Sequence, residues 1–321
     1  MHKILVLGAA GQIGSELTLA LRQKYGNENV IAADIKTHPD KQITEAGPFL
    51  HADCMDKQAI LSIVNQYKPD AIFHLAAILS AVAEENPQKA WSVNMTCLQN
   101  VLEVARSVPC QVFFPSSIAA FGPSTPITFT PQDTVQRPTT IYGVTKVAGE
   151  LFCDYYFQKY GVDTRGLRFP GLISYHTLPG GGTTDFAVEM YYKALKHKKY
   201  TCCLRANTQL PIMYMPDAIR AAIELMEVNP SKLKHRNAFN IHAMTISPDD
   251  IVHSIRKFVP GFTINYQVDE LLQQIANSWP RSLDDSAAHK EWGWKPHFNL
   301  DKMSEDMIKN LSLKLNMSVQ A

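Results

Sequence analysis

Several features that would assign a function directly are missing from this sequence of 321 residues. No apolar run approaches the roughly 20 residues of a membrane-spanning helix. No targeting segment precedes the first apolar run, so we expect a cytoplasmic protein without a membrane partner. Lysine and arginine number 31 against 30 aspartate and glutamate residues. This balance gives no reason to expect nucleic acid as a partner.

The cysteines and histidines also lack the spacing of a metal site or a disulfide framework. The six cysteines form no C-x-x-C pair, and the eleven histidines form no H-E-x-x-H motif or Cys/His cluster. We therefore expect no bound metal, and reduced thiols of the kind found in a cytosol.

What the sequence does contain is a regular alternation of apolar strands and amphipathic helices. Strands are predicted at residues 3–8, 29–34, 48–53, 70–77, 111–117 and 163–169, with helices at Gln12–Tyr25, Lys57–Tyr67, Pro87–Arg106 and Tyr142–Tyr160. The strands are continuously apolar, as parallel strands covered on both faces are. The pattern predicts an α/β fold with a Rossmann-like, doubly wound parallel sheet over residues 1–170. Residues 171–321 are expected to form mainly a smaller C-terminal α/β lobe for the substrate, with later segments returning to the first domain.

Three glycines follow the first strand directly in "LGAAGQIGSEL". Gly8, Gly11 and Gly14 permit a tight turn and a close approach of a pyrophosphate to the N-terminus of the next helix. Gln12 and Ile13 lie between the last two glycines. Because the motif stands between a buried strand and an amphipathic helix, it predicts dinucleotide binding at these five residues.

Asp34 ends the second predicted strand, twenty residues after Gly14. A carboxylate there is placed to accept hydrogen bonds from the adenosine ribose and to repel a 2′-phosphate, which favours NAD over NADP. Lys36 lies nearby and weakens the charge argument. The alternative is that Asp34 is a helix-capping or turn carboxylate.

The ends of the third and fourth strands meet the same edge of the predicted sheet. An aspartate after the third strand is suited to the adenine amino group, or else to a turn, and the small residues of "HLAA" suit close passage of a cofactor. His74 is interpreted as a packed, hydrogen-bonded histidine. The cofactor residues predicted at these two strand ends are Asp53, Cys54, Leu75, Ala76 and Ala77.

Ser116 and Ser117 end the fifth strand, and Tyr142 and Lys146 follow on a helix. Tyrosine has an ordinary pKa near 10, so a general base needs that pKa lowered toward the working pH. A lysine ammonium one helical turn away and a positive nicotinamide ring would each favour the phenolate. A serine hydroxyl would orient the substrate oxygen. The alternative is an exposed helix tyrosine with a surface lysine.

These motifs, G-x-x-G-x-x-G, an acidic residue and S…Y-x-x-x-K, resemble the extended short-chain dehydrogenase/reductases, an NAD-dependent epimerase/dehydratase-like family, over nearly the whole chain. Segments 113–123, 179–195, 211–225 and 278–294 are similar to the short-chain type of L-threonine 3-dehydrogenase. That type often carries threonine at the position of Ser117, a change that keeps the hydroxyl. The resemblance implies Ser117 as the catalytic hydroxyl, with Ser116 near the substrate.

The resemblance further implies oxidation of L-threonine at C3 to 2-amino-3-oxobutyrate, with hydride passing to NAD. Tyr142 would take the hydroxyl proton, and Lys146 would lower its pKa and hold the nicotinamide ribose. Phe169 and Leu172 would meet the carboxamide of the nicotinamide. The expected substrate residues are Ser80, Ser116, Ser117, Tyr142, Thr183, Thr184 and Trp279. A homodimer through the Tyr/Lys helix is implied as well.

Some assignments stay open at this stage. Trp279 either closes the pocket or packs in the lobe, and Arg281 either contacts ribose or substrate or caps a helix. A nucleotide-sugar epimerase or dehydratase would need a basic cleft, for which Arg205 and Arg220 are the available candidates. A non-catalytic NAD(H)-binding regulator would be expected to lack the Tyr/Lys pair.

Overall fold

The computed structural model describes residues 1–176 and 183–316. The strands are β1 Ile4–Leu7, β2 Val30–Asp34, β3 Phe49–His51, β4 Ala71–His74, β5 Gln111–Ser117, β6 Thr164–Phe169, β7 Gly171–Ile173, β8 Lys199–Cys202, β9 Leu210–Tyr214, β10 Phe239–Asn240, β11 Met244–Ile246 and β12 Thr263–Tyr266. The helices are α1 Gln12–Tyr25, α2 Lys41–Glu45, α3 Lys57–Tyr67, α4 Ser80–Glu85, α5 Pro87–Ser107, α6 Ile141–Tyr160, α7 Asp185–His197, α8 Met215–Glu227, α9 Pro248–Arg256, α10 Glu270–Ser278, α11 Ser286–Trp292 and α12 Leu300–Lys314.

The main sheet has seven parallel strands in the order β3-β2-β1-β4-β5-β6-β10. Ile4 of β1 pairs with Val30 on one side and with Ala71 on the other. Every residue of β1, β2 and β4 is buried, which explains their uninterrupted apolar sequences. The strand order confirms the predicted doubly wound, Rossmann-like fold.

Helices cover both faces of this sheet. On one face, Leu17 of α1 and Ala222 of α8 pack with Val6. On the other face, Leu98 of α5 and Cys153 of α6 pack with neighbouring strands. Full burial of a large apolar side chain contributes roughly 1.5–3 kcal/mol, so each of the two layers stabilises the sheet substantially.

The C-terminal part adds two small sheets, β7-β9-β11 and β8-β12. A third apolar cluster, which includes Tyr191 of α7, Ile251 of α9 and Met307 of α12, joins these helices. β10 leaves this part and pairs in parallel with β6 at the edge of the main sheet. Across residues 1–176 and 183–316, we find no helix with the length and apolar character of a membrane span.

Candidate active site

A cleft opens at the carboxyl ends of the main-sheet strands, where β1 lies between β2 and β4 and the strand order reverses. This is the usual ligand-binding edge of an open α/β sheet. The structure brings together most of the residues predicted from sequence. Those that line the cleft are Gly8, Gly11, Gln12, Ile13, Gly14, Leu75, Ala77, Ser80, Ser116, Ser117, Tyr142, Lys146, Phe169, Leu172, Thr183, Thr184 and Trp279.

The glycine turn is closely packed beneath the cleft. Gly8 has a φ of +84°, and a Cβ there would lie 2.7 Å from the amide nitrogen of Ala76. A Cβ on Gly14 would lie 2.1 Å from the carbonyl oxygen of Gly8. Gly11 precedes α1 without a side-chain cap, so its backbone and the first turn of the helix face the cleft. The turn therefore presents backbone N–H groups at a helix N-terminus, the feature that binds phosphates.

Asp34 supports the glycine turn from behind and does not line the cleft. Its Oδ2 accepts a hydrogen bond from the amide of Ala10 at 2.8 Å, and its Oδ1 accepts one from the amide of Lys36 at 2.9 Å. The Lys36 ammonium donates to the carbonyl oxygen of Ala10 at 2.8 Å. These contacts show that Asp34 stabilises the turn, and its role toward the adenosine ribose stays a prediction. Each carboxylate oxygen keeps a lone pair for another donor.

Three other predicted cofactor residues also lie outside the cleft-lining set. Asp53 accepts a hydrogen bond from the amide of Met55 at 2.8 Å, as a turn aspartate does. Cys54 is buried, and a contact with the Cys97 thiol together with burial raises its pKa. Ala76 packs against Gly8. These three residues lie beside the cleft because they follow β3 and β4, which end at the same edge of the main sheet.

His74 is buried, but it is not satisfied as predicted. In the part of the chain that the structure describes, its Nδ1 has no hydrogen-bond partner. Burial, with a smaller effect from the Lys146 charge, lowers the pKa of His74 to about 3, so the ring is neutral. The interpretation of His74 as a packed histidine is confirmed, but the expected hydrogen bond is missing at Nδ1, because sequence pattern carries no information about the partners of a buried ring.

Helix α6 begins at a position fixed by local contacts. Thr140 Oγ1 accepts a hydrogen bond from the amide of Gly143 at 3.1 Å and caps the helix. A Cβ on Gly143 would lie 2.1 Å from the carbonyl oxygen of Ala119, so only glycine lets the helix start so close to the turn after β5. Tyr142 and Lys146 follow on one face of the first two turns. The capped helix start thus places both side chains at the cleft.

Tyr142 and Lys146 lie close together, with Tyr142 partly buried and Lys146 buried. Lys146 Nζ is 5.3 Å from the centre of the Tyr142 ring and donates to the carbonyl oxygen of Pro115 at 2.6 Å. Burial raises the pKa of Tyr142 to about 12, opposed by a hydrogen bond from Ser117. Burial lowers the pKa of Lys146 to about 8, opposed by Glu150. Both groups are thus displaced toward their neutral forms.

The two serines at the end of β5 have different partners. The Ser116 hydroxyl donates to the carboxylate of Glu150. Ser117 Oγ accepts from the amide of Ala119 at 3.2 Å, and its hydroxyl lies close enough to Tyr142 to act against the rise in the pKa of the phenol. The contact with the tyrosine makes Ser117 the better candidate for the catalytic hydroxyl.

The other wall of the cleft comes from the C-terminal part. Thr183 is buried, and its Oγ1 has no hydrogen-bond partner among the described residues; Thr184 precedes α7 without capping it. Trp279 is 8% exposed and packs with the apolar cluster of the lobe as well as lining the cleft, so both predicted roles are compatible. Residues 177–182, with most of the predicted Gly-rich loop, lie outside the described residues.

Some positions differ from the sequence prediction. Arg281 is exposed and outside the cleft-lining set, and its amide donates to the carbonyl oxygen of Ile127. Six lining residues were not predicted: Leu79, Pro115, Ile118, Pro170, Gly171 and Asp185. Their proximity to predicted residues in sequence was the available signal. Glu150 was also missed, although it lies eight residues after Tyr142 on the same helix face.

Comparison with known proteins places these features in a family. The model of the NAD dependent epimerase/dehydratase family matches residues 4–241. An "uncharacterized epimerase/dehydratase" of Staphylococcus haemolyticus is 50% identical over 98% of this chain and 99% of its own length. A structure described as L-threonine dehydrogenase from Clostridium difficile is 55% identical, with a TM-score of 0.96 over 98% of both chains. A structure described as a monomeric L-threonine 3-dehydrogenase from a metagenome is 46% identical, with a TM-score of 0.93 over 98% of this chain and 99% of that chain. This chain belongs to the NAD-dependent epimerase/dehydratase family.

Proposed function

We propose that this protein is an NAD-dependent L-threonine 3-dehydrogenase, which oxidises the C3 hydroxyl to give 2-amino-3-oxobutyrate. The observation that carries the proposal is the placement of Tyr142, Lys146 and Ser117 in one cleft with the glycine turn. The similarity to structures described as L-threonine dehydrogenases supports this choice of substrate.

The residues present fit NAD. Gly11 has no side chain to fill the space in front of α1, and the Gly8–Gly14 contact brings the backbone to the surface of the cleft. In this proposal the turn holds the pyrophosphate, Asp34 accepts from the adenosine ribose, and Asp53, Cys54 and residues 75–77 flank the adenosine. Lys146 holds the nicotinamide ribose, while Phe169 and Leu172 flank the nicotinamide.

Tyr142 acts as the general base that takes the proton of the C3 hydroxyl, and Ser117 orients that hydroxyl. The pKa of the Tyr142 phenol, about 12, is too high for a base near neutral pH, so nearby positive charge has to lower that pKa. Lys146 supplies one such charge in its ammonium form. NAD⁺, when bound, accepts the hydride and adds a second positive charge beside the phenol.

L-Threonine is small and zwitterionic, and the cleft offers side chains that match it. The proposed substrate hydroxyls are those of Ser80, Ser116, Thr183 and Thr184, and Trp279 covers the methyl group. The Oγ1 of buried Thr183, which has no partner within residues 1–176 and 183–316, is one hydrogen-bonding group that a substrate would satisfy.

The family also contains enzymes that act on nucleotide sugars, but the cleft does not favour that reading. Among the described lining residues, Lys146 is the only lysine or arginine. Arg205 pairs with Glu270 at 3.5 Å, and Arg220 pairs with Asp217 at 2.9 Å. A nucleotide diphosphate would lack the basic partners it requires.

A substrate comparison tests the proposal directly. Purified protein with NAD⁺ should produce NADH on addition of L-threonine between about pH 7 and pH 10, whereas UDP-glucose and UDP-galactose should produce none. Folded, NAD-binding protein that fails to oxidise L-threonine would exclude the proposed substrate. Conversion of a UDP-sugar would establish the alternative. Binding of NAD without turnover of any substrate would indicate a regulator.

We also propose a cytoplasmic homodimer formed through the face of α5 and α6, with residues 1–170 as the cofactor domain and 171–321 as the main substrate lobe. Trp91 on α5 is 44% exposed, and Leu151 and Tyr155 on α6 are 63% and 49% exposed. Exposed apolar groups clustered on one face are typical of an interface. Leu151 and Tyr155 lie on α6, the same helix that carries Tyr142 and Lys146.

A further inference from the structure

Three charged side chains are buried at the cleft wall and behind it. Lys146, Glu150 and Arg168 are 5%, 3% and 7% exposed. Glu150 lies one helical turn after Lys146 on α6 and therefore shares its face. Arg168 on β6 donates to Glu150 through Nε at 3.0 Å and Nη2 at 2.8 Å. Burial of charge on this scale is costly unless every partner is placed, so the cluster is held in one arrangement.

The Glu150 carboxylate fixes the hydroxyl of Ser116. Ser116 Oγ donates to Glu150 Oε1, and Gln136 donates to Oε2 at 2.8 Å. Arg168 is held in turn by the carbonyl oxygen of Gln132 at 2.8 Å and by Asn240 Oδ1 at 3.1 Å. A hydroxyl has one hydrogen and two lone pairs. Because the hydrogen of Ser116 is engaged, the group can only accept a hydrogen bond from a ligand in the cleft.

Glu150 is also the negative charge nearest in sequence to Lys146 on this face. Lys146 Nζ donates to a neutral carbonyl, and no carboxylate of the described residues pairs with it. Glu150 and Cys153 both favour its ammonium form, but burial raises the pKa of the Cys153 thiol, which is therefore neutral near pH 8. His74, which faces Lys146 from β4, is neutral as well. Of Glu150, Cys153 and His74, only Glu150 carries a negative charge that stabilises the ammonium form of Lys146.

We propose that Glu150 is a positioning residue of this site: it turns the Ser116 hydroxyl into an acceptor for the substrate ammonium and keeps Lys146 in its ammonium form. The inference rests on the proposed dehydrogenase function. In this role Glu150 itself contacts neither substrate nor cofactor.

The two effects are separated by two variants. Glu150→Gln removes the charge but keeps an oxygen that can accept from Ser116. The apparent pKa of the acid limb of the kcat/KM profile should therefore rise by about one pH unit. The KM for L-threonine should change little. Ser116→Ala should do the reverse, raising KM about tenfold without moving the limb, because it removes the acceptor and leaves the charge.

Asp163→Asn is the matched control. Asp163 pairs with the buried Arg165 at 2.7 Å as Glu150 pairs with Arg168. Unlike that of Glu150, its carboxylate hydrogen-bonds Gln111, Arg165 and Arg236, none of which lines the cleft. Asp163→Asn should lose about as much stability as Glu150→Gln, but the pH profile of its kcat/KM should match that of the wild type. An equal pH shift in both variants would reduce Glu150 to a structural role. If Glu150→Gln does not fold, Glu150→Gln/Arg168→Met takes its place, since neutral replacement of a buried pair is usually tolerated.

A substrate-free measurement keeps this inference distinct from the proposed function. Acetic anhydride reacts with a lysine only when its amine is neutral. The rate at which Lys146 is acetylated, measured by peptide mass spectrometry at a series of pH values, therefore reports the titration of Lys146. The midpoint should fall by about one unit in Glu150→Gln. An unchanged midpoint in folded protein overturns the proposal, even if wild-type protein oxidises L-threonine. A lowered midpoint supports it, even if L-threonine proves not to be the substrate.

Discussion

Tyr142 is the side chain on which the proposed chemistry depends most directly. Its phenol is near Ser117 and Lys146, yet burial raises its pKa to about 12. The residue pattern predicted which groups would meet, and the structure agrees. The direction of the pKa shift was beyond the pattern, because it depends on how much water the folded cleft excludes.

Substitution of Tyr142 by phenylalanine removes the proposed base and preserves the ring. Turnover of L-threonine should fall by about 100-fold or more, because general base catalysis contributes on that scale. The dissociation constant for NAD, measured by fluorescence titration, should stay within about threefold of wild type. Turnover that survives the substitution would mean that another group takes the proton.

Asp34 tests the choice of cofactor. Asp34→Asn keeps an oxygen for the amides of Ala10 and Lys36 but removes the charge. We expect the ratio of NADP to NAD affinity to rise about tenfold, since a hydrogen bond to a charged group contributes roughly 1.5–3 kcal/mol. Affinities for both cofactors should be measured on the same preparation. A parallel change for the two cofactors would show that Asp34 only stabilises the turn.

Glu16 on α1 provides a pH-dependent test of stability. Burial, opposed by a hydrogen bond from Ser174 and by the Lys314 charge, raises its pKa from 4.5 to about 7. Between these pH values the folded protein binds more protons than the unfolded chain, so the free energy of unfolding falls as pH rises. Glu16→Gln should stabilise the protein by on the order of 2 kcal/mol at about pH 8 and by little at about pH 5. Urea unfolding at both pH values measures this; equal effects would contradict the shift.

At the scale of elements, prediction succeeded where the periodicity was long and regular. The bounds of α1 and α3 match the predicted helices, and the first six main-sheet strands lie within their predicted ranges. The strands of the two small sheets were not predicted, because they are three to five residues long and their pairing depends on distant parts of the chain. Local sequence contains no record of such pairing.

Helix α6 offers a test at this scale. Gly143→Ala should destabilise the protein, although the same change usually stabilises a helix, because its Cβ would lie 2.1 Å from the carbonyl oxygen of Ala119. Displacement of Tyr142 should lower turnover about tenfold or more. Val144→Ala, on the exposed side of the same turn, is the control for kcat and thermal unfolding. An active and stable Gly143→Ala protein would show that the helix start can shift freely.

At the scale of the whole molecule, the sequence predicted most of the residues that line the cleft but not the buried side chains that hold them in place. Glycines, serines and the Tyr/Lys pair follow strand ends, and parallel strands bring those ends together. The contacts of Glu150 with Ser116 and Arg168 join three elements, and only the folded arrangement reveals them. The hydrogen bonds of Asp34 with the amides of Ala10 and Lys36 were beyond the sequence pattern for the same reason.

The proposed dimer makes a prediction for the molecule as a whole. Leu151→Glu places a charge in the exposed apolar face of α5 and α6 and should convert the dimer to a monomer in sedimentation velocity experiments. Leu271→Glu, at a similarly exposed position on α10, should leave the dimer intact. A wild-type monomer would contradict the proposal and would match the neighbour described as monomeric.

The pairing of β10 with β6 has a consequence for synthesis of the chain. β6 ends at Phe169, whereas its outer partner begins at Phe239. While the ribosome adds the intervening residues, at about 5–20 residues per second, the edge of β6 has no strand beside it for several seconds. Such an edge can pair with another nascent chain. Expression yield should therefore depend on temperature and chaperone supply, and a fragment that ends near residue 170 should aggregate.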